Sequence, residues 1–361
     1  MPLLGVLGLF AAVGHAEAQP ARSTQVLGVV AAYTDASRGV GGPAQLRKVL
    51  LALRAFYAEG SGGAHEFVGD VHPGIVQLAQ ARPVGKCRLP DGSVLSAALR
   101  DAGIGLEHYH ALALVVPAST GGCNGGLQTT FLHREADGTT RRVPLAVSWS
   151  MTDRFIAHEI VHTHGIGHAK TLVCPGASVA AACKTGEYGN VWDLMGNGKF
   201  QMLSAPLRTR MGWIEPVIHP GGQATYTIGA ATRPDDLPTA VQVRLPFSGN
   251  DAVKVLQPLS LWVEYRAPFG FDKPMGSPRF NFAQGAMVNL TGSWQTTTGR
   301  SSRLVSCPSA SPCLLDMTPQ TPKFKDAALL VGQTFTEPFS GTRLRVESRS
   351  ETTLTFTVTV P

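Results

Sequence analysis

Charge is scarce in this chain: Asp, Glu, Lys and Arg make up 16% of its 361 residues. No Lys/Arg tract is clustered, so nucleic-acid binding is not expected. No apolar stretch approaches the ~20 residues needed to span a bilayer, which argues against stable membrane insertion. The six cysteines contain no Cys-x-x-Cys pair, which argues against a thiolate zinc site. There is also no internal repeat. Glycine (40) and proline (25) are abundant instead, a mixture suited to loop-rich extracellular folds containing strands. A hydrophobic fraction of 43% leaves ample material for a core, and the length predicts one large or two modest domains.

Residues 1–18 read as a signal peptide. An apolar run covers residues 3–13, and Ala16-Glu17-Ala18 supplies small residues where a signal peptidase needs them. No Lys or Arg precedes Arg22, so the basic leader is missing; either a basic stretch is lost or this is a first core strand. Export predicts a secreted, extracellular or periplasmic protein. In that setting an even cysteine count favours disulfides. Order along the chain suggests Cys87–Cys123, Cys174–Cys183 and Cys307–Cys313, one of fifteen possible pairings. The net charge of +6 can favour contact with acidic cell-wall or matrix polymers.

Pattern along the chain predicts an α/β (α+β) domain over residues 19–215. A β-branched run at 26–33 reads as a buried strand, and Pro43 opens a helix. In that helix Leu46, Val49, Leu50, Leu53, Phe56 and Tyr57 recur at helical spacing. Further strands are expected at 67–71, 111–116, 127–133 and 143–149, with a helix at 94–102 and an Asp137-Gly138 turn. After Trp213 only strand-like segments follow, so residues 216–361 are expected to form a β-sandwich-like domain.

The most informative stretch is His158-Glu159-Ile160-Val161-His162-Thr163-His164-Gly165-Ile166-Gly167-His168, which fits H-E-x-x-H-x-x-G-x-x-H. Residues four apart share one helix face, about 6 Å apart along the axis, so His158 and His162 can meet one metal. Glu159, one position on, can reach a water but not the metal. Gly165 can adopt the positive φ that ends the helix and lets His168 return as third ligand. Three imidazoles leave zinc a fourth position, as catalysis requires. Chance occurrence of the pattern in this composition is below roughly 10⁻⁴. Ile156, Ile160 and Val161 give the helix an apolar side, and Thr152 or Asp153 is expected to cap it. His164 does not match the spacing and is expected to hydrogen-bond or face solvent. His108, His110 and His133 are read as structural.

With Asp193-Leu194-Met195-Gly196 as a candidate Met-turn, the chain resembles the metzincin metallopeptidases. It is most similar to their gametolysin (autolysin) group. Further likeness lies in Glu187-Tyr188-Gly189-Asn190, Met211-Gly212-Trp213, residues 57–61 and 69–71, and Trp262-Val263-Glu264-Tyr265-Arg266. The resemblance implies a mixed sheet with an active-site helix, Met195 as an apolar floor beneath the ligands, and a cell-wall or matrix glycoprotein substrate. Two departures are Ala169 directly after the third histidine and the absence of a recognisable prodomain. Cys87-Arg88-Leu89-Pro90-Asp91 faintly resembles a cysteine switch, but it sits inside the domain, which favours the disulfide to Cys123.

The expected chemistry is amide hydrolysis of a protein or peptide substrate, with Zn²⁺ on His158, His162 and His168 and Glu159 as general base. The substrate is expected along an exposed edge strand at 127–133. Three rivals stand beside this reading: a non-proteolytic zinc protein, a different metal-assisted hydrolase, and a carbohydrate- or wall-binding module using Trp262 and Trp294.

Overall fold

The computed structural model describes residues 22–35, 40–232, 237–298, 301–321 and 324–361. The expected signal peptide, 1–18, lies outside them. The chain is mixed α/β with a sheet-rich body.

The first half builds a five-stranded sheet. Its elements are β1 (Arg22–Ala32), α1 (Pro43–Ser61), β2 (His65–Gln77), α2 (Gly92–Asp101), β3 (Ala111–Val115), β4 (Gly126–Arg134), β5 (Thr140–Ser148) and α3 (Asp153–His162). The strand order is β2-β1-β3-β5-β4, parallel except for β4, which pairs antiparallel with β5 at one edge. Parallel neighbours need crossovers, and α1 and α2 provide them. α1 starts at Pro43, buries the six apolar residues expected of it, and stops at Gly62, whose φ of 60° turns its N–H onto the last carbonyls.

Alternation along the strands separates two cores. Ala111, Ala113 and Val115 of β3 and Ala146 of β5 face α1 and α3. Leu112, Leu114, Val116, Leu145 and Val147 face α2. Side-chain period two produces this split, and the small alanines let the helices lie close to the sheet. α3 is seated by Ile156, Ala157, Ile160 and Val161, all buried.

Two short strands, β6 (Lys170–Val173) and β7 (Lys184–Gly186), precede a short helix, α4 (Ala205–Arg210). Beyond Trp213 come β8 (Val217–Ile218), β9 (Gln223–Gly229), β10 (Ala240–Arg244), β11 (Gly249–Asn250), β12 (Val253–Tyr265), β13 (Gly285–Thr298) and β14 (Ser301–Cys307). The chain ends with β15 (Cys313–Leu314), β16 (Leu329–Leu330), β17 (Thr334–Thr336), β18 (Arg343–Arg349) and β19 (Thr353–Thr359). One sheet is ordered β7-β6-β15-β13-β12-β10-β8, with β11, β14 and β16 attached; the other is β17-β18-β19-β9. A single apolar core joins them, with Val263, Val288 and Trp294 from one sheet and Ile228, Val346 and Phe356 from the other.

Three features differ from expectation. β6 and β7 lie upstream of residue 215 yet belong to the second sheet, because β6 pairs in parallel with β15 across Lys170–Cys313. Strands of three or four residues carry no periodicity that could reveal them. Trp262 and Trp294 are buried, and their indole N–H groups donate to Thr291 Oγ1 and the Ala181 carbonyl, so neither offers a face for a sugar to stack on. Two 3₁₀ turns, Gly270–Gly276 and Phe282–Gln284, interrupt the strands, where no helix was expected. The cysteines pair as 87–123, 174–183 and 307–313.

Candidate metal centre

α3 carries His158 and His162 one turn apart, and the chain then reverses. Gly165 holds φ of +72°, a conformation that side-chain-bearing residues rarely adopt. His168 is thereby brought back, so that one nitrogen of each of the three histidines lies within 4.8 Å of the others. Both residues expected to cap α3 stand at its start. Thr152 holds the N-cap position, though its hydroxyl accepts from Ser150 and bonds no helix N–H, and the Arg154 N–H of the first turn is taken by the Asp153 carboxylate at 2.7 Å.

Each imidazole is oriented through Nδ1. His158 Nδ1 donates to the Leu194 carbonyl at 2.9 Å and His162 Nδ1 to the Ile166 carbonyl at 2.6 Å. His168 Nδ1 donates to Glu187 at 3.0 Å, and Lys170 Nζ holds the other oxygen of that carboxylate at 3.1 Å. An acceptor opposite Nδ1 fixes the proton there and leaves the lone pair on Nε2, the arrangement found behind metal-bound histidines. The Nε2 atoms of His158 and His162 then face each other at 3.0 Å. Two lone pairs so placed repel unless a cation lies between them. Tetrahedral coordination at ~2.05 Å puts ligand nitrogens about 3.3 Å apart, so the pair is spaced for one small ion. Burial, with His162 adding to it, pushes His158 down to about 3, and burial lowers His162 as well, so both are neutral near pH 7, as metal ligation requires. The residues present fit a metal ion.

Glu159 is buried beside this group, and burial pushes its carboxyl up to about 8. Its side chain lies on Gly126, the first residue of β4, where a methyl group would overlap Glu159 Cγ. The edge strand therefore begins at the carboxylate itself. Leu127 and Leu132 are exposed along it. A cavity of about 290 Å³ opens between His158, Glu159 and the loop before β4, with Arg154, Tyr188 and Asn197 on its other walls.

Met195 is fully buried in the core that backs α3. Its turn is held by Asp193, whose carboxylate accepts from the N–H groups of Met195 at 2.8 Å and Ser204 at 2.6 Å. The same turn supplies the Leu194 carbonyl to His158, and the Met195 carbonyl accepts from Ala169 N–H at 2.9 Å. Ala169, the departure from the expected pattern, is fully buried against this turn.

Several contributors were not identified as functional from sequence. Glu187 and Tyr188 belong to a stretch singled out only for its resemblance; here Glu187 orients His168 and the Tyr188 ring packs 3.9 Å from it. The loop closed by Cys307–Cys313 docks on the third-ligand segment. Gly167 N–H donates to the Ala310 carbonyl at 2.7 Å and Lys170 N–H to the Pro312 carbonyl at 2.9 Å. A methyl group on Gly167 would overlap the Ser311 hydroxyl. Only an acid after the third histidine could have pointed to Glu187; nothing in the sequence marks Ala310.

The remaining histidines stand apart. His164 turns away, bonded to the Tyr57 hydroxyl at 3.0 Å and stacked on His110, which is itself bonded to Thr163. His133 is buried against Ser96 and Glu135, and His108 is exposed. Among the described residues the His158, His162, His168 group is the one cluster able to hold a metal. No helix among them is long and apolar enough to cross a membrane. No protein-family model matches the chain, and no curated protein does.

Proposed function

We propose that this chain is a secreted, zinc-dependent endopeptidase of metzincin type, most similar to the gametolysin group, acting on extracellular or cell-wall proteins. The observation that carries the reading is three imidazoles, each anchored through Nδ1, converging beside a buried glutamate where an open edge strand begins. Three neutral nitrogen ligands suit zinc better than the oxygen-seeking cations. When bound, zinc supplies a Lewis acid that polarises a carbonyl and lowers the pKa of water.

The chain's own residues do the rest. Glu159 is held off the ligand positions and against β4, so its carboxylate is free to take a proton from the attacking water and pass it to the leaving amine. Burial alone favours its protonated form, and a cation held by the neighbouring histidines would restore the carboxylate that the base needs. The outer edge of β4 offers unpaired backbone groups, and an extended peptide laid there gains main-chain hydrogen bonds that bring its scissile bond to Glu159. Three disulfides fit folding in an oxidising compartment.

The test is cleavage of a general protein substrate by purified protein, lost with a zinc chelator and restored by added zinc. A protein that binds zinc stoichiometrically yet cleaves no protein or peptide would leave the non-proteolytic zinc protein as the better reading.

A further inference from the structure

We propose that the cavity beside Glu159 is a subsite for an acidic side chain of the substrate, selected by Arg154; this assignment depends on the chain being a peptidase. With His158 and Glu159 on its wall, the cavity receives the side chain of a residue next to the bond under attack. Asn124, Phe155, Tyr188 and Asn197 give it a neutral lining. Among the described residues that line it, Arg154 is the one side chain with a permanent positive charge.

That arginine differs from the two buried ones elsewhere. Arg208 is paired with Glu264, and Arg266 with Asp272. Among the described residues no carboxylate pairs with the Arg154 guanidinium, and its Nε is buried without an acceptor. The head group is nonetheless fixed. Nη2 donates to the Gly196 carbonyl at 2.9 Å, and the guanidinium carbon lies 5.4 Å from the centre of the Phe155 ring. A carbonyl and a ring tether the charge without neutralising it. Holding a guanidinium partly out of water with no counter-charge is unfavourable, and an entering carboxylate removes that penalty while gaining a charge-assisted hydrogen bond. Because the donor is already tethered, little side-chain entropy is lost on binding. A lysine side chain meets like charge in the same cavity, so the device discriminates by repulsion as well as attraction.

The experiment uses the full-length zinc-loaded protein and peptides identical except for Glu, Gln or Lys at each position flanking the cleaved bond. At one flanking position wild type is expected to prefer Glu over Gln by about tenfold in kcat/KM, and over Lys by more. Arg154→Gln should level Glu with Gln, and Arg154→Glu should put Lys first, both with unchanged zinc content. The same ranking in all three proteins would overturn the assignment. If wild type holds zinc and cleaves none of the peptides, the peptidase reading falls, and binding of fluorescent Glu and Lys peptides to the zinc-loaded proteins decides the cavity. A Glu preference reversed by Arg154→Glu upholds the acidic site; equal binding rejects it.

Discussion

In the first sheet every strand pairs with one no more than two strands away in sequence; after Trp213 such close pairings are joined by others that reach across the whole half or back into the first. β1, α1, β2, α2 and β3 follow one another as strand and crossover, and β1 pairs with both of the next two strands. In the second half Thr227 lies opposite Thr355, and the short β15 reaches back to β6. Chemistry is divided just as unevenly. All three histidines of the candidate metal centre and Glu159 come from the first half, while the second contributes backbone carbonyls that fix the segment bearing His168. At the junction lies a buried ionic group. Arg208 meets Glu264, which also accepts from Ala205 N–H, and Arg266 donates to Asp272 and to the Trp192 and Met202 carbonyls. Ligand identity is thus local in this protein, and ligand position is not.

The division of labour can be broken first on the chemical side. Glu159→Ala removes the base and no ligand, so peptide hydrolysis should fall about 10²–10⁴-fold at constant zinc content. His158→Ala should lose metal as well as activity. Metal analysis and hydrolysis run together on both variants separate these outcomes; near-full proteolysis by Glu159→Ala would refute the assigned role.

The junction is the next place to press. Arg208→Met leaves Glu264 buried with Ala205 N–H and the Asn289 amide but no cation bonded to it, since Arg266 is paired with Asp272. Removing one partner of such a pair costs about 3–5 kcal/mol, to be read from urea unfolding. A loss below 1 kcal/mol would mean that the two halves do not depend on this contact.

A smaller effect is expected at the loop between β6 and β7. Cys174–Cys183 closes about ten residues, and replacing both cysteines by alanine should destabilise by about 2–3 kcal/mol. Urea unfolding of the double variant and wild type checks this.

The most pointed test of the comparison changes neither ligand nor base. Gly167→Ala should push the Ser311 hydroxyl away and loosen His168, weakening zinc binding about 10–100-fold, the usual range for residues behind a ligand. Adding Ser311→Gly should restore affinity in a competition titration. Without that rescue, the second half would not be positioning the ligand.

Acidity gives the most graded response. His158 and His164 are pushed down to about 3, chiefly by burial, and His65 and His110 are lowered the same way. On acidification the unfolded chain takes up these protons first. The stabilisation is therefore complete above about pH 6.5 and is lost as pH falls toward 3. For His158 alone this is about 1.4 kcal/mol per pH unit. Glu159, Glu59 and Asp193, raised by burial to about 8, 7 and 6, titrate in the opposite sense. The check is therefore the difference between metal-free wild type and His158→Gln melted between pH 7 and 4: the variant should lose less stability on acidification.

The sequence by itself determined the three histidines, Glu159, the reversal at Gly165 and most strands and helices of the first half. Helical spacing, a required positive φ and side-chain alternation are local properties, and they survive being read one residue at a time. Cysteine order also anticipated the pairing, since each cysteine bonds its neighbour along the chain. Only the tertiary structure decided that Glu187 orients His168, that Gly126 leaves room for Glu159, and that Arg154 faces the cavity unpaired. It alone joined β6 to β15 and set Ala310 against Gly167, contacts made by backbone groups that every residue carries. A backbone carbonyl has no sequence signature, so its partner is known only once the chain between them has folded.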